Sequence, residues 1–238
     1  MAINLSLDNV NVNDTFEAGK TSSVLDTNIY QGLVKYIYFT KTARGGDCAN
    51  AVIDINGLTH TFPMYITYAD TKTPTKKVNG KTTVIPGYVQ LNSLYYCACG
   101  KTVDQAVQEQ KSIMIYDWKS RKEVPTLVDC ITDAMGKPIV VGIKKVNKHK
   151  QAKVNGVYTP TTDTYFTNEV DRYYTVDGYL ASEKASGNDP TYIESFKAKA
   201  GTVFEEKLKV TPIAPPKTDI SSMTESDTPV KNLFGDDE

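Results

Sequence analysis

The sequence contains few of the residues on which metal sites and enzyme active sites most often depend. Its 238 residues include two histidines, His60 and His149, and four cysteines. Cys97 and Cys99 form a C-x-C pair without a second pair at zinc-site spacing, and the other two cysteines are isolated. The glycine-rich phosphate-binding motifs and the G-x-S-x-G motif of serine hydrolases are absent. We therefore expect no metal, no cofactor and no enzymatic activity.

Long apolar stretches are also absent. No apolar run approaches the roughly 18 residues needed to span a membrane, and residues 1–6 lack the basic flank and hydrophobic core of a signal peptide. With no sign of secretion, the cysteines are expected to stay free thiols in a reducing compartment. These absences predict a cytoplasmic protein without a membrane partner.

Charge is distributed unevenly along the chain. From Pro212 onward there are six acidic residues and two lysines, a net charge of −4, whereas the whole chain carries −1. The rest of the chain is therefore weakly basic, at +3. Acidic tails of this kind are often interaction arms, and we predict that residues 211–238 are a flexible acidic tail. Its predicted partner-binding residues lie at the tip and are Leu233, Phe234, Asp236, Asp237 and Glu238.

The clearest structural signal is a β region from Gly32 to Phe62. Alternation in its first strand separates two sets of side chains onto opposite faces. Tyr36 and Tyr38 belong to one set, and Asn56-Gly57 is a strong hairpin signal further on. We predict three consecutive antiparallel strands here. The set predicted to face the core consists of Leu33, Lys35, Ile37 and Phe39.

The remaining pattern adds helices and further strands, and tight turns between the early strands disfavour parallel βαβ units. The fold class predicted for residues 1–210 is mainly β, with a small antiparallel barrel, an inserted central helix and C-terminal helices. The individual elements expected are a lysine-rich loop over 70–81, a helix over Tyr88–Cys99 capped by Gly100, strands over 111–118, 124–130 and 138–146, a turn-rich segment to 178, and a helix over 192–209.

Basic residues cluster at three places, over residues 35–44, 72–81 and 144–153, and each cluster has aromatic residues nearby. Lysines neutralise phosphates, and aromatic faces stack on unpaired bases, which is how single-stranded nucleic acid is held without sequence preference. We predict a groove strand, a loop that closes over the nucleic acid, and a far edge that contacts phosphates. The groove-strand residues are Lys35, Tyr36, Tyr38, Lys41 and Arg44. The loop and its approach contain Tyr65, Tyr68, Lys72, Lys76 and Lys77. The far edge contains Lys144, Lys145, Lys148 and Lys150, followed by Tyr158.

Three stretches resemble the single-stranded DNA-binding proteins that tailed phages encode for their own replication. They are Ile115-Tyr116-Asp117-Trp118 with 122–126, then 135–143, then Asn168-Glu169-Val170-Asp171-Arg172. Those proteins are similar in having an OB-type barrel with insertions and an acidic C-terminal tail ending in an aromatic residue. Here Phe234 is followed by four further residues, which leaves the tail's partner open.

The resemblance implies an OB-like fold and a role in DNA replication, recombination and repair. The protein would coat single-stranded DNA, with RNA as an alternative ligand, and recruit a polymerase or helicase-primase through its tail. Its location would then be the host cell cytoplasm.

Two other functions fit parts of the sequence. A phage virion structural or interaction protein explains the β content and the 15 tyrosines equally well. A metal-dependent nuclease would be built on scattered aspartates such as Asp54, Asp117, Asp129 and Asp171. In addition, the set of tyrosines that faces a groove depends on strand register, because a slip of one residue exchanges the two faces.

Overall fold

The computed structural model describes residues 24–117, 120–154 and 156–215. They divide into two compact units, one of residues 24–147 and 166–206 and the other of residues 148–165 and 207–215. Strands dominate, which confirms a mainly β chain with few helices. The strands are β1 Asn28–Lys41, β2 Asp47–Ile55, β3 Leu58–Tyr65, β4 Thr75–Val78, β5 Lys81–Val84, β6 Gln108–Asp117, β7 Lys122–Ile131, β8 Pro138–Val154, β9 Val157–Tyr174 and β10 Val203–Glu205. The helices are α1 Pro86–Cys99, α2 Ala181–Ser186 and α3 Thr191–Lys197, with a 3-10 turn at Val103–Gln105.

The long strand β1 organises the main sheet. One edge of β1 pairs antiparallel with β2, which in turn pairs with β3. The N-terminal half of β1 also pairs with β8, and Ile37 and Tyr38 pair with the end of β7. The sheet therefore branches at β1 into a β8 arm and a β7–β6 hairpin. The pairings among the described strands leave this sheet open, so they establish an antiparallel β architecture without establishing a barrel.

The core lies on one face of β1, β2 and β3, where α1 packs. Ile37, Ala51 and Phe62 share that face, and Leu94 of α1 is completely buried in the same cluster. Burial of this apolar surface is the main stabilising contribution to the unit. At position 87 a Cβ would lie 2.1 Å from the carbonyl oxygen of Tyr65, so only glycine lets the first turn of α1 approach the end of β3 so closely.

The predicted central helix is confirmed, and it begins two residues earlier than expected. Pro86 occupies the first turn, where its missing N–H costs nothing. Gly100 ends the helix in the left-handed conformation with a φ of 71°, and its N–H donates to the Tyr96 carbonyl. Among the described residues, no helix combines the length and the apolar character needed to cross a membrane.

Several predicted elements were wrong. The segment 70–81 is not a plain loop, because Asn79-Gly80 adopts positive φ angles that close the β4–β5 hairpin. The segment after Gly156 is the long strand β9 rather than a series of turns. The predicted helix over 192–209 ends at Lys197, and β10 follows because it pairs in parallel with β8. Long-range pairing thus overrides the local helical pattern.

Candidate nucleic-acid interface

A β-bulge at Lys35 determines which side chains of β1 face outward. Val34 lies opposite Ile53, but Tyr36 lies opposite Val52, so Lys35 is an extra residue without a partner on β2. Beyond the bulge the alternation changes phase. Val34 is completely buried, whereas Leu33, predicted to face the core, has 51% of its surface exposed. The predicted core-facing set was therefore wrong at Leu33 and Lys35 and correct at Ile37, which is buried.

The bulge brings Lys35 onto the same side of the sheet as the tyrosines. Tyr36, Val52 and Thr61 form one row across β1, β2 and β3, on the face opposite the core. Thr59 lies two residues before Thr61 and shares that face. The Lys35 Nζ donates a hydrogen bond of 3.1 Å to the Thr59 Oγ1, so the lysine side chain lies across this outer surface.

Tyr38 and Tyr65 lie on this same outer face. Tyr38 shares a row with Asn50 and Pro63, and Tyr65 shares the next row with Thr40 and Cys48. From strand spacing, the backbones of Tyr38 and Tyr65 are about 12 Å apart. We call this surface the tyrosine face, and its defining residues are Lys35, Tyr36, Tyr38 and Tyr65.

The tyrosine rings combine partial burial with partial exposure. The centroids of Tyr36 and Tyr38 are 6.0 Å apart with planes at 53°, so the rings are neighbours without being stacked on each other. Tyr65 is the most exposed of the three, at 61%. Desolvation, with smaller contributions from neighbouring charges, raises the pKa of both Tyr36 and Tyr38 above the usual value. Both phenols therefore remain neutral at physiological pH and can accept a base on their ring faces.

The β6–β7 hairpin extends the sheet from β1 beside Tyr38. Cys130 of β7 pairs with Tyr38 and is almost completely buried. The charge of Glu123 on β7 raises the pKa of the Tyr36 phenol, after the larger effect of desolvation. On the side of the hairpin that Cys130 shares, Lys111 pairs with Val128 and is exposed. Lys111 also forms an ion pair of 2.8 Å with Glu109.

Lys111 is a basic residue of the candidate interface that sequence reasoning missed. It lies outside the three basic clusters, and only the pairing of β7 with both β1 and β6 brings it to this side of the sheet. A lysine in a predicted strand gives no local signal of its distant neighbours.

The structure places Lys41 away from the tyrosine face. Lys41 pairs with Asp47 in register with Phe39 and Ala49, which lie on the core side of β1 and β2. It also forms an ion pair with the Asp47 carboxylate, which lowers the pKa of that carboxyl group. The predicted groove strand therefore does not present Lys41 together with Tyr36 and Tyr38.

Two of the predicted basic clusters meet at the β1–β2 turn. Arg44 is exposed in this turn, and the Lys72 Nζ donates a hydrogen bond of 2.7 Å to the carbonyl oxygen of the adjacent Gly45. On the β4 strand, Lys76 pairs with Asp70 and lies 5.8 Å from the centroid of the Tyr68 ring. Lys77 is exposed on the same strand.

Lys144 and Lys145 make internal contacts in the first unit. Lys144 pairs with Asp171, and its Nζ lies 5.3 Å from the Phe204 ring centroid. Lys145 pairs with Asp26 at 2.9 Å and lies 5.2 Å from the Phe166 ring. Contacts of this kind hold β8 against its neighbours and make both lysines less available to phosphates than an unpaired lysine.

The second unit contains the rest of the predicted far edge. Lys150 is exposed, and Lys148 is half-buried. Tyr158 is 67% exposed, and the Lys153 Nζ lies 6.0 Å from its ring centroid. The chain after Lys209 pairs with this unit, because Thr162 donates its N–H to the Ile213 carbonyl at 2.8 Å. The predicted tail residues from Leu233 to Glu238 lie outside the described residues.

Three of the four carboxylates of the nuclease alternative bond to neighbouring groups. Asp54 accepts the Gly57 N–H in the β2–β3 turn, Asp117 accepts the Ser120 N–H, and Asp171 pairs with Lys144. Within residues 24–117, 120–154 and 156–215, no group of three or more His, Cys, Asp or Glu side chains is arranged to hold a metal ion. No protein-family model and no curated protein sequence matches the chain.

Proposed function

We propose that this chain is a sequence-independent single-stranded DNA-binding protein with an OB-like fold, acting in phage DNA replication and recombination. The observation that carries the proposal is the tyrosine face, where Lys35, Tyr36, Tyr38 and Tyr65 share one surface of an open sheet. Partly exposed aromatic rings beside a lysine are the combination that holds unpaired bases and neutralises the phosphates between them.

The geometry favours an unpaired strand over a duplex. Bases of a duplex are stacked inside the helix, where aromatic side chains on a sheet cannot reach their faces. Stacking uses the π-face that every base has, so it contributes about 1–3 kcal/mol per base with little dependence on sequence. The β6–β7 hairpin, which pairs with β1 at Tyr38, would border the groove and supply Lys111.

In this proposal the acidic tail competes with DNA for the basic surface and recruits a polymerase or helicase-primase. The −4 charge from Pro212 onward against the +3 of the preceding residues supports such competition. A tail deletion should therefore tighten DNA binding at low salt. The deletion should begin after Pro215, because a chain cut at Val210 would also lose the bond between Thr162 and Ile213.

The test is a fluorescence-anisotropy titration of the full chain with an oligo-dT strand, a matching duplex and a matching RNA over a salt series. The proposal predicts tight, salt-sensitive binding of the single strand and much weaker binding of the duplex. Equal binding of RNA would broaden the ligand to single-stranded nucleic acid. Absence of binding at low salt, both for the full chain and for the chain ending at Pro215, would leave the virion-protein alternative as the better explanation.

A further inference from the structure

The outer edge of β6 is a long strand edge that pairs with no other described strand. β6 pairs with β7 over ten residues, and no other strand within residues 24–117, 120–154 and 156–215 pairs with it. Unpaired strand edges are templates for pairing with another chain, and proteins commonly block them with proline. β3 carries Pro63 at the opposite edge of the sheet, and the part of β7 beyond its pairing with β1 carries Pro125. β6 contains no proline.

The hydrogen-bonding pattern between β6 and β7 shows which residues of β6 point their backbone N–H and C=O groups away from β7. The Thr132 N–H donates to the Val107 carbonyl at 3.0 Å, which fixes this pair as a hydrogen-bonded one. In an antiparallel ladder such pairs alternate with non-bonded pairs. The register runs unbroken from there, so Met114 and Pro125 form a non-bonded pair. That assignment also fits the missing N–H of proline. The N–H and C=O of Met114 therefore point away from β7.

We propose that β6 pairs antiparallel with β6 of a second copy of this chain, with the two-fold axis at Met114. In this register Ile113 of one copy lies opposite Ile115 of the other, and Lys111 lies opposite Asp117. The centre of the contact is apolar, and each end brings Lys111, which also pairs with Glu109 of its own strand, to Asp117 of the other copy, so the strand is complementary to itself. Met114 and Leu127 lie on the side of the hairpin opposite Cys130 and are 52% and 65% exposed, and the Met114 side chains of the two copies would cover each other.

A dimer of this kind leaves the tyrosine face accessible, because β7 lies between β6 and β1. The two-fold axis would place two tyrosine faces in one particle, which allows one strand of DNA to engage both. The second contact would then be intramolecular and would strengthen binding without any new protein–DNA contact. The dimer itself does not depend on the DNA-binding proposal, and it is measured without DNA.

The first test is the mass of the full chain in solution by light scattering, with and without a lysine at the axis. The wild type should have twice the 26.3 kDa mass of the chain, and Met114→Lys should have the monomer mass because the two charges would lie directly opposite each other. Leu127→Lys is the matched control: it adds the same charge to the same side of the hairpin, on β7, and should remain dimeric. A monomeric wild type, or dissociation of the Leu127→Lys variant alone, would overturn the proposal.

The second test fixes the register. A two-fold hydrogen-bonded pair holds its two Cα atoms about 5.5 Å apart, which is within the range for a disulfide. Met114→Cys should therefore form a covalent dimer under mild oxidation. Leu127→Cys should not form one, although Leu127 is more exposed than Met114 in the native chain. Equal cross-linking of both variants, or cross-linking of Leu127→Cys alone, would contradict pairing along β6.

Discussion

The ring centroids of Tyr36 and Tyr38 lie 6.0 Å apart on the outer face of β1. Residues at i and i+2 share a face of any strand, but here a bulge immediately before Tyr36 adds Lys35 to the same surface. The core and the candidate interface therefore use opposite faces of a single strand. Burial of Val34 and Ile37 holds β1 in place, and the tyrosines are positioned by that packing.

Replacing Tyr36 with alanine should weaken binding of oligo-dT by about 1–3 kcal/mol, or roughly 5- to 150-fold, because one stacked base loses its ring. Tyr36→Phe should bind almost as the wild type does, since stacking requires the ring and not the hydroxyl. Titration by anisotropy at fixed salt measures both. Tyr192→Ala, which removes a tyrosine that is 56% exposed on α3, is the control and should change nothing. Equal losses for Tyr36→Ala and Tyr192→Ala would mean that exposed tyrosines in general account for the effect.

Replacing Lys35 with alanine should reduce the salt dependence of binding. Loss of one phosphate contact on a single strand lowers the slope of log K against log salt by about 0.7. Lys41→Ala is the matched control, because Lys41 lies on the core side of β1 and pairs with Asp47. Its slope should equal that of the wild type. A larger change for Lys41 than for Lys35 would show that the bulge does not direct the phosphate contact.

The local sequence pattern predicted the regular elements near the tyrosine face, but it did not predict the bulge at Lys35. Asn56-Gly57 and Gly100 predicted the β2–β3 turn and the end of α1 because both need positive φ angles that few residues adopt. The strict alternation around Lys35 gave no sign of an extra residue, since a bulge is defined by the spacing of the partner strand. The predicted face of Lys35 was consequently reversed.

Contacts distant in sequence account for the other differences. Lys144 follows an apolar strand, and the sequence predicted it to be a solvent-exposed phosphate ligand. In the structure Asp171 and Phe204 contact it from segments far along the chain. β10 has only three residues and forms because β8 offers an edge for it. Neither partner can be identified from composition or from periodicity around the residue itself.

His60 should make the protein less stable in mild acid. Its side chain is 7% exposed and stacks on Phe62, and desolvation lowers its pKa below the usual 6.5, against a smaller opposing effect of Asp54. The unfolded chain therefore binds a proton at a higher pH than the folded chain does. The free energy of unfolding should be at its full value above pH 6.5 and should fall as the pH drops below it.

Urea unfolding at pH 7.5 and 5.5 measures this effect. His60→Leu should lose the part of the stability difference between pH 7.5 and 5.5 that His60 contributes. A variant of the other histidine, His149→Gln, should retain that difference. A difference between the two pH values that is identical in the wild type and His60→Leu would assign the acid sensitivity to other groups.

Glu183 should be a strong determinant of stability in the α2–α3 region. Glu183 is 4% exposed, and its carboxylate accepts hydrogen bonds from the N–H groups of Leu180, Thr191 and Tyr192 at 2.9 to 3.1 Å. Desolvation acts to raise its pKa, but these hydrogen bonds together outweigh that effect, so the pKa is lowered. The stabilisation is present above about pH 4.5 and is lost as the pH falls through the folded pKa.

Glu183→Ala removes the acceptor of the Leu180, Thr191 and Tyr192 N–H groups, of which Thr191 retains a hydrogen bond to the Asp189 carbonyl, and should cost about 1–3 kcal/mol in the free energy of unfolding. The control is Glu194→Ala on α3, which removes an exposed ion pair with Lys197 and should have little effect. Urea unfolding at pH 7 measures both variants. Equal losses would show that Glu183 and its hydrogen bonds contribute no more to the free energy of unfolding than an exposed ion pair does.

The most direct measurement is photo-cross-linking of the full chain to an oligo-dT strand that carries 5-iododeoxyuridine, with the attached residues identified by mass spectrometry. The iodinated base cross-links to aromatic side chains on which it stacks. We predict attachment at Tyr36, Tyr38 and Tyr65, with competition by unmodified oligo-dT. Attachment confined to aromatic residues outside the tyrosine face, such as Tyr192, would contradict it.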